Sequence, residues 1–351
     1  MGTAANLDAI LGESLTIEDY YVTDPGDRPT VPHNAYDDAS DTIPCLHLAR
    51  IRASSGEDRK RMLEEVRDAV CEWGFFRVVA HGVDEKLVDD TVAWARGIFD
   101  MDLETKLKSL VDDSSGSLAG YHCGVVKQNK SWQESFHSWA DPSDFKIAAE
   151  KLWPSSEEIK YVLEMHYKFS MAMEELALEI LQLLEETLGV TSGDFTRHWE
   201  RLKRTLVRFN WYPPCEEPGL VLGAGSHTDP DIITILLQDE VGGLQLLKDS
   251  KWIACKPLHG SFVVNVGDCL QVLSNDFLPS LQHRAVLNKE KARLSVVTFV
   301  LPKVNATIEP SSHLVDEDHP AAFRRLMFEE IINAAKEMKF KGKEVLSLFR
   351  V

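Results

Sequence analysis

Several features are missing from this chain, and each absence removes a class of function. No two of the six cysteines, at 45, 71, 123, 215, 255 and 269, form a C-x-x-C pair. That leaves no zinc ribbon and no dithiol redox motif to read. Without a secretory start the thiols are expected to stay reduced, as small buried side chains. The opening, "MGTAANLDAI", lacks the basic start and long apolar stretch of a signal peptide. Asn6 stands where a myristoylation signal takes Ser or Thr, and "LSLFRV" carries no lipidation or peroxisomal address. No run approaches the roughly 20 apolar residues of a membrane helix. A cytoplasmic protein without a membrane segment is expected. Basic residues are few: 38 Lys and Arg face 56 Asp and Glu, a net charge of −18. Phosphate backbones would repel such a surface, so nucleic acid is not an expected partner. Internal repeats and low-complexity tracts are absent, and no obligate protein partner is evident.

What remains is an ordinary globular composition, 44% hydrophobic and 27% charged over 351 residues, enough for one large domain or two smaller ones. Residues 1–40 are rich in Asp, Pro and Thr, show no sustained period and read as a loose arm. "IPCLHLARI" reads as a first strand. "DRKRMLEEVRDAVCEWG" places Met62, Val66, Ala69, Val70 and Trp73 on one helical face, with Gly74 as its stop. "FFRVVAHGV" reads as a strand and turn, followed by helices near 84–99 and 102–110. The stretch up to Trp153-Pro154 reads as loop. A long helix is predicted over 156–189, with Ser156 as its cap, Gly189 at its end and His166 on its apolar stripe as a core histidine.

After residue 204 the apolar period shortens to two. "TLVRFNWY", "IITILLQD", "GLQLLKDSKWIAC", "SFVVNVGDCLQVL", "LQHRAVL" and "RLSVVTFVLP" are short strand-like runs, with turns at Gly242-Gly243, Asp249-Ser250 and Asn275-Asp276. A sandwich or jelly roll follows, with a final helix near 320–337. The predicted fold is α+β. A loose arm (1–40) precedes a mainly helical region (41–200), a jelly-roll catalytic core (201–305) and a helical C-terminal extension (306–351).

The run "GSHTDPDIITILLQD" puts His227 and Asp229 two residues apart at the mouth of an apolar strand, on one face. A carboxylate there needs a cationic partner. His259 and His283 lie downstream; His259, beside Pro and Gly in "KPLHGSF", reads as a surface turn, and His283 as strand. Two His and one carboxylate make a facial triad with open metal positions, which suits Fe(II) oxygenases, although zinc could take the same ligands. Ten residues beyond His283 stands Arg293, with Ser295 on the same strand face. A guanidinium facing an apolar barrel needs an anion, and the Arg fork with a neighbouring hydroxyl suits a carboxylate. Tyr212, ahead of Pro213-Pro214, could donate to the same group. A keto acid with a second carboxylate, 2-oxoglutarate, would bridge the metal and Arg293.

These pieces resemble the plant-type 2-oxoglutarate/Fe(II)-dependent dioxygenases. "NWYPPC", "HTDPDIITILLQD", "VGGLQLLKDSKWIA", "SFVVNVGDCLQVLSND", "QHRAVLN" and "RLS" follow in family order, and "IPCLHLA" with "CEWGFFRVVAHGV" resembles the family's opening. The similarity covers roughly 40–305. It implies a double-stranded β-helix, with His227, Asp229 and His283 as iron ligands and Arg293, Ser295, Tyr212 and Asn210 as co-substrate contacts. Fe(II), 2-oxoglutarate and O2 are the implied reactants, with ascorbate as a helpful reductant and succinate and CO2 as products. "NWYPPCEEPGLVLGAGSHTDP" and "LQHRAVLN" resemble the gibberellin 20-oxidases, while "HTDPDII" is closer to the 2-oxidases. A gibberellin or related diterpenoid acid is therefore the expected substrate. Phenylpropanoids, flavonoids and alkaloids are the alternative, since relatives that hydroxylate them share "HGSFVVNVGD". Tyr121, Trp132, Phe136 and Phe299 are the expected pocket residues, and Lys127 or Lys130 could meet a substrate carboxylate. Three rivals remain at this point: an oxidase that uses no 2-oxoglutarate, a binding protein on the same barrel, and a zinc hydrolase.

Overall fold

A computed structural model describes residues 22–36, 43–111, 118–123, 131–338 and 344–351. The parts of the arm and the lysines 127 and 130 that fall elsewhere lie outside the described residues. An eight-stranded sheet has the order β1-β2-β10-β7-β12-β5-β4-β3, and a four-stranded sheet the order β6-β11-β8-β9. The strands of the large sheet are β1 (Cys45–His47), β2 (Phe75–Val79), β3 (Gly120–Cys123), β4 (Glu134–Trp139), β5 (Thr205–Tyr212), β7 (Ile233–Gln238), β10 (Ser261–Val266) and β12 (Arg293–Val300). Those of the small sheet are β6 (Leu222–His227), β8 (Leu244–Lys248), β9 (Lys251–Ala254) and β11 (His283–Val286). The region expected to be mainly helical thus also supplies β1 to β4 to the large sheet.

Period-two patterning explains which side chains enter the barrel. In β12, Arg293, Ser295, Val297 and Phe299 share one face; across the ladder they meet Tyr212, Asn210, Arg208 and Leu206 of β5. On the other flank Ser295 pairs with Gln238, Val297 with Leu236 and Phe299 with Thr234 of β7. Phe75, Leu236, Leu244, Leu246, Val263 and Val297 form a buried cluster between the sheets, with Phe299 packed against it. The alternate residues of the large sheet point to the helices.

Those helices are α1 (Leu48–Ala53), α2 (Gly56–Trp73), α3 (Glu85–Asp100), α4 (Leu103–Lys108), α5 (Pro142–Leu152) and α6 (Ser156–Leu188). Helix α6 runs for 33 residues and buries Phe169, Met173, Leu176, Ile180 and Leu184. Its cap is Ser155 rather than Ser156: the Ser155 hydroxyl accepts from the Glu158 amide, and the Glu158 carboxylate accepts from the Ser155 amide. Only Ser155 stands three residues ahead of a glutamate that can close this reciprocal box. Gly189 ends the helix in the left-handed conformation at φ 68°. Helix α5 occupies ground expected to be loop; Asp141 caps it and Pro142 takes its first turn. A short helix α7 (Asp268–Leu273) follows β10. Beyond the barrel, β13 (Thr307–Ile308) and β14 (Leu326–Met327) pair ahead of α8 (Phe328–Glu337), which is shorter than expected, and α9 (Glu344–Ser347) follows. No helix among the described residues is long and apolar enough to cross a membrane.

His166 of α6 is a core residue. Its Nε2 lies 2.8 Å from Ser138 Oγ, and its ring stacks on Phe145 at 4.5 Å. Burial pushes its pKa down to about 3, from an ordinary 6.5. Between those values the unfolded chain binds a proton that the folded chain rejects. Stability from this group is therefore full above about pH 6.5 and falls with acidification, by about 1.4 kcal/mol per pH unit within the window. His166→Gln should flatten the acid limb: its melting temperature should fall less than that of the wild type between about pH 6.5 and 4.5. Parallel acid limbs in a thermal-melt series would reject this account.

Candidate active site

Strands β6 and β11 run antiparallel and set His227 directly opposite His283. Their rings stand 4.3 Å apart between centroids. Asp229 follows β6, with Oδ1 3.6 Å from His227 Nε2 and Oδ2 3.6 Å from His283 Nε2. The three donor atoms all lie within 4.8 Å of one another, two nitrogens and one carboxylate oxygen around a common point. This donor set fits a divalent transition metal held on one side, with the opposite side open. Asp229 and His283 are buried, while His227 is half-exposed, so the approach from solvent lies on the His227 side.

The surroundings orient each donor. His227 Nδ1 lies 2.7 Å from the Gly225 carbonyl and His283 Nδ1 3.3 Å from the Leu281 carbonyl. A proton on each Nδ1 leaves each Nε2 lone pair free for a metal. The Phe75 ring of β2 meets the His283 ring edge-on at 5.5 Å. Asn265 Nδ2 donates to Asp229 Oδ2 at 2.8 Å. The Thr234 hydroxyl lies 2.7 Å from Asp229 Oδ2 and 2.8 Å from Asp231 Oδ2. One hydroxyl proton cannot serve two carboxylates. Burial, with Asp229 and Asp268 nearby, pushes the Asp231 carboxyl well up. Burial also works against charge on Asp229, but His283, His227, Asn265 and Thr234 outweigh it and hold its pKa below the ordinary value. His227 is pushed down to about 4, first by burial and then by His283.

The turn after β10 clamps this segment from behind. The Asp268 amide donates to the Asp229 carbonyl at 2.7 Å, and the Cys269 amide to the Asp231 carbonyl at 3.0 Å. Gly267 permits this approach, because a Cβ there would lie 2.1 Å from Asp231 Oδ1. Asp268 is buried at the start of α7 and accepts from Thr228 Oγ1 at 3.0 Å, which braces the turn.

At the β5–β12 ladder, Arg293 pairs with Tyr212 and Ser295 with Asn210. Asn210 Nδ2 lies 3.4 Å from Ser295 Oγ, and the Arg293 guanidinium sits 5.0 Å from the centre of the Tyr212 ring. Gln238 Oε1, at 3.4 Å, is the side-chain acceptor at Arg293 Nη2. Arg293 Nε and Asn210 Oδ1 are buried with no hydrogen-bond partner among the described residues. Buried polar atoms in that state cost about 1–3 kcal/mol each. Their grouping on one wall fits a polar ligand with a carboxylate, as 2-oxoglutarate would present. Arg284, next to His283, points to the opposite face of β11, where it stacks over Trp252 at 3.9 Å and donates to Gln245 Oε1 at 2.9 Å.

The expected pocket residues separate. Phe299 shares the inward face with Ser295. Tyr121 and Phe136, paired across β3 and β4, turn to the helices instead. The Tyr121 hydroxyl donates to Glu134 at 2.7 Å beside a fully buried Lys106–Glu134 ion pair, and Phe136 packs on Phe145 at 5.9 Å. Trp132 lies at the seam between strands, its Nε1 donating to the Pro213 carbonyl at 3.2 Å. Strand parity explains the difference: Ser135 of β4 pairs with Asn210, so Glu134 and Phe136 must point the other way. His259 is exposed, as a surface turn should be.

Arg208 escaped the sequence reading, although it stands two residues before Asn210 on the same face. It lies opposite Val297 and His137. Its Nη2 lies 3.4 Å from Ser135 Oγ, its Nε has no partner, and no carboxylate lies within ion-pair distance among the described residues. Burial lowers its pKa, while Tyr212 and Asp229 work in the other direction, which places the guanidinium in the field of the triad.

Asp229→Ala would leave Asn265, Thr234 and two histidine nitrogens facing a hole. The variant should lose most bound iron and at least about 100-fold in turnover, while Asn265→Ala should lose about tenfold in metal affinity by freeing the carboxylate to rotate. Iron content after gel filtration decides the first point. Full metal occupancy in Asp229→Ala would remove Asp229 from the ligand set.

Comparison with known proteins agrees with this geometry. Residues 203–302 match the 2OG-Fe(II) oxygenase superfamily, and residues 43–156 match the N-terminal family described as non-haem dioxygenase in morphine synthesis. Codeine O-demethylase of Papaver somniferum is 35% identical over 318 residues, 89% of this chain and 86% of that protein. Flavanone 3-dioxygenase of Petroselinum crispum is 34% identical, covering 86% of this chain and 80% of its own length. Among solved structures, JOX2 in complex with 2OG, Fe and JA superposes with a TM-score of 0.79 at 27% identity, covering 98% of this chain and 97% of that one. The rice dioxygenase for auxin oxidation gives 0.74 at 27% identity, covering 88% and 100%. The chain is a member of the plant 2-oxoglutarate/Fe(II)-dependent oxygenase family, an oxidoreductase built on a jelly-roll core that works with Fe(II) and 2-oxoglutarate.

Proposed function

We propose that His227, Asp229 and His283 hold the iron, and that Arg293, Ser295, Tyr212 and Asn210 receive the far carboxylate of 2-oxoglutarate. The observation that carries this reading is a three-donor cluster, with histidines from the small sheet, together with orphaned polar atoms at Arg293 Nε and Asn210 Oδ1 on the inward face of the large one. Iron and 2-oxoglutarate together supply an oxidant able to attack an unactivated C–H bond, with release of succinate and CO2. The residues of the chain do the rest. Asn265 and Thr234 keep Asp229 charged and pointed inward. The two carbonyls at Gly225 and Leu281 hold the imidazole tautomers. Phe75, Leu246 and Phe299 line the space between the sheets with apolar surface and keep water out.

The substrate in this reading is a small hydrophobic plant metabolite of the phenylpropanoid, flavonoid or alkaloid type. The names of the relatives, which include a codeine demethylase and several flavanone dioxygenases, support it. A second reading, a gibberellin or related diterpenoid acid, draws support from Arg208. That guanidinium has no acidic partner at ion-pair distance among the described residues and stands near the triad, where a substrate carboxylate or acidic phenol would neutralise it. The six free thiols support a reducing, cytoplasmic setting.

The test is oxygen-dependent succinate formation from 2-oxoglutarate with Fe(II), against a panel of flavonoids, phenylpropanoid acids, alkaloids and gibberellin precursors, with products followed by mass. Coupling to a neutral alkaloid alone would remove the acid reading. Coupling to a diterpenoid acid would establish it. Arg293→Ala should raise the 2-oxoglutarate requirement by roughly tenfold to a hundredfold, the worth of a charged hydrogen-bonded clamp; an unchanged requirement contradicts the clamp. Arg208→Gln should raise KM for an acidic substrate by about tenfold or more and leave the 2-oxoglutarate requirement alone. Equal KM values in both proteins would show that Arg208 does not face the substrate.

A further inference from the structure

The described part of the N-terminal arm, residues 22–36, is tied to the barrel. Gln245 Nε2 donates to the Val31 carbonyl at 2.7 Å, and His33 Nε2 lies 3.0 Å from Asn288 Nδ2. The Thr23 amide donates to the Leu220 carbonyl at 2.9 Å. The arm ends its described course at Tyr36. The ring of this residue lines an outer cavity of about 500 Å³ with His33, Val241, Asn288 and Lys291. Its hydroxyl lies against Gly242, buried and with no hydrogen-bond partner among the described residues.

Two adjacent glycines show where that hydroxyl goes. A Cβ on Gly242 would lie 2.0 Å from the Tyr36 oxygen, and a Cβ on Gly243 would lie 3.4 Å from Arg293 Cδ. Both glycines have positive φ, 79° and 111°. The Gly242-Gly243 turn thus has the Tyr36 phenol against its first residue and the Arg293 side chain, Cδ and Nε, against its second. Electrostatics agree: burial raises the Tyr36 pKa, as does Cys255, and Arg293 pulls it back. A phenylalanine would fill the same space without leaving a hydroxyl unsatisfied. A buried hydroxyl without a partner is costly unless a ligand completes it. The partners missing at Tyr36, Arg293 Nε and Asn210 Oδ1 are one acceptor for each donor and one donor for the acceptor, as a carboxylate with its bound water would provide.

The geometry points to Tyr36 as a further positioning residue for the co-substrate: the arm closes the Arg293 end of the barrel and its phenol donates to the far carboxylate of 2-oxoglutarate. This rests on the assignment of Arg293 to that carboxylate. The arm then sets co-substrate affinity from outside the jelly roll, and Gln245, held in place by Arg284, links it to the strand that carries His283.

Calorimetric titration of the Fe(II)-loaded full-length protein with 2-oxoglutarate under argon tests this without turnover. Wild type, Tyr36→Phe and Arg293→Ala are compared, with the melting temperature of each measured before 2-oxoglutarate is added. Tyr36→Phe should weaken 2-oxoglutarate binding by about fivefold or more, the worth of one hydrogen bond to a charged group. Its melting temperature without 2-oxoglutarate should stay level or rise, because the lost hydroxyl has no partner. Binding within about twofold of wild type, at any melting temperature, overturns the role of Tyr36. Undiminished binding in Arg293→Ala overturns the clamp itself, and this is a separate result.

Discussion

A carboxylate almost without solvent, Asp229, is the constraint that the rest of this fold serves. Left alone at that depth it would take up a proton and lose its value as a ligand. The chain prevents this with two imidazoles from the small sheet, an amide from β10 and a hydroxyl from β7. Those groups come from four strands in two sheets, so the register of both sheets is written into one charge. A slip of a single residue in β10 would turn Asn265 to the helices and Val264 to Asp229. The two imidazoles, 4.3 Å apart between centroids, both turn Nε2 toward this carboxylate.

The other half of the barrel solves the opposite problem. The protein carries a net charge of −18, yet guanidiniums of Arg77, Arg208 and Arg293 point between the sheets. None has a carboxylate at ion-pair distance among the described residues. Arg77 is bound to the Lys256 carbonyl at 2.5 Å and to the Cys255 sulfur at 3.9 Å. An acidic exterior keeps anionic macromolecules away. A cationic interior selects small anions that fit. The separation of the two signs, rather than the total, sets the ligand chemistry.

Much of this was legible in the residues, and the reason is periodicity. His227 with Asp229, and Arg293 with Ser295, are pairs at a spacing of two, and an extended segment sends both members to one face whatever the fold. The jelly roll followed from the density of such runs after residue 204. Tyr121 and Phe136 went astray because β3 and β4 are short and carry His, Ser and Glu in place of β-branched residues, so no strand was seen and parity could not be used. Helix α5 was hidden for a related reason: its apolar residues Phe145, Ala148, Ala149 and Leu152 are small or few, and its Asp-Pro start resembles a turn. Arg208 needed only the parity argument already applied to Asn210. Tyr36 had no local signal at all, since its meaning comes from a contact with Gly242 more than two hundred residues away.

The orphaned atoms around Arg293 bear on stability as well as on binding. Each is a desolvated group that the folded chain leaves unsatisfied, at about 1–3 kcal/mol, against a net stability of only about 5–15 kcal/mol for a typical domain. A chain selected for stability alone would replace Arg293 and Asn210 with apolar residues of similar volume. Keeping them means that the folded state is incomplete until an anion enters, and a ligand that binds only the folded state adds to its stability by mass action. The same reasoning orders the parts of the fold. The Lys106–Glu134 pair is buried too, but Tyr121 and the Phe99 carbonyl supply most of its partners from within the chain, and Glu134 Oε1 alone is left without one among the described residues. Polar clusters of this kind brace the sheet against the helices. Open ones, with the missing partner on the inward face, mark where small molecules belong. In this barrel strand parity sends Glu134 of β4 outward to its lysine and Arg208 and Asn210 of β5 inward, where no side chain of the described residues completes Arg208 Nε or Asn210 Oδ1.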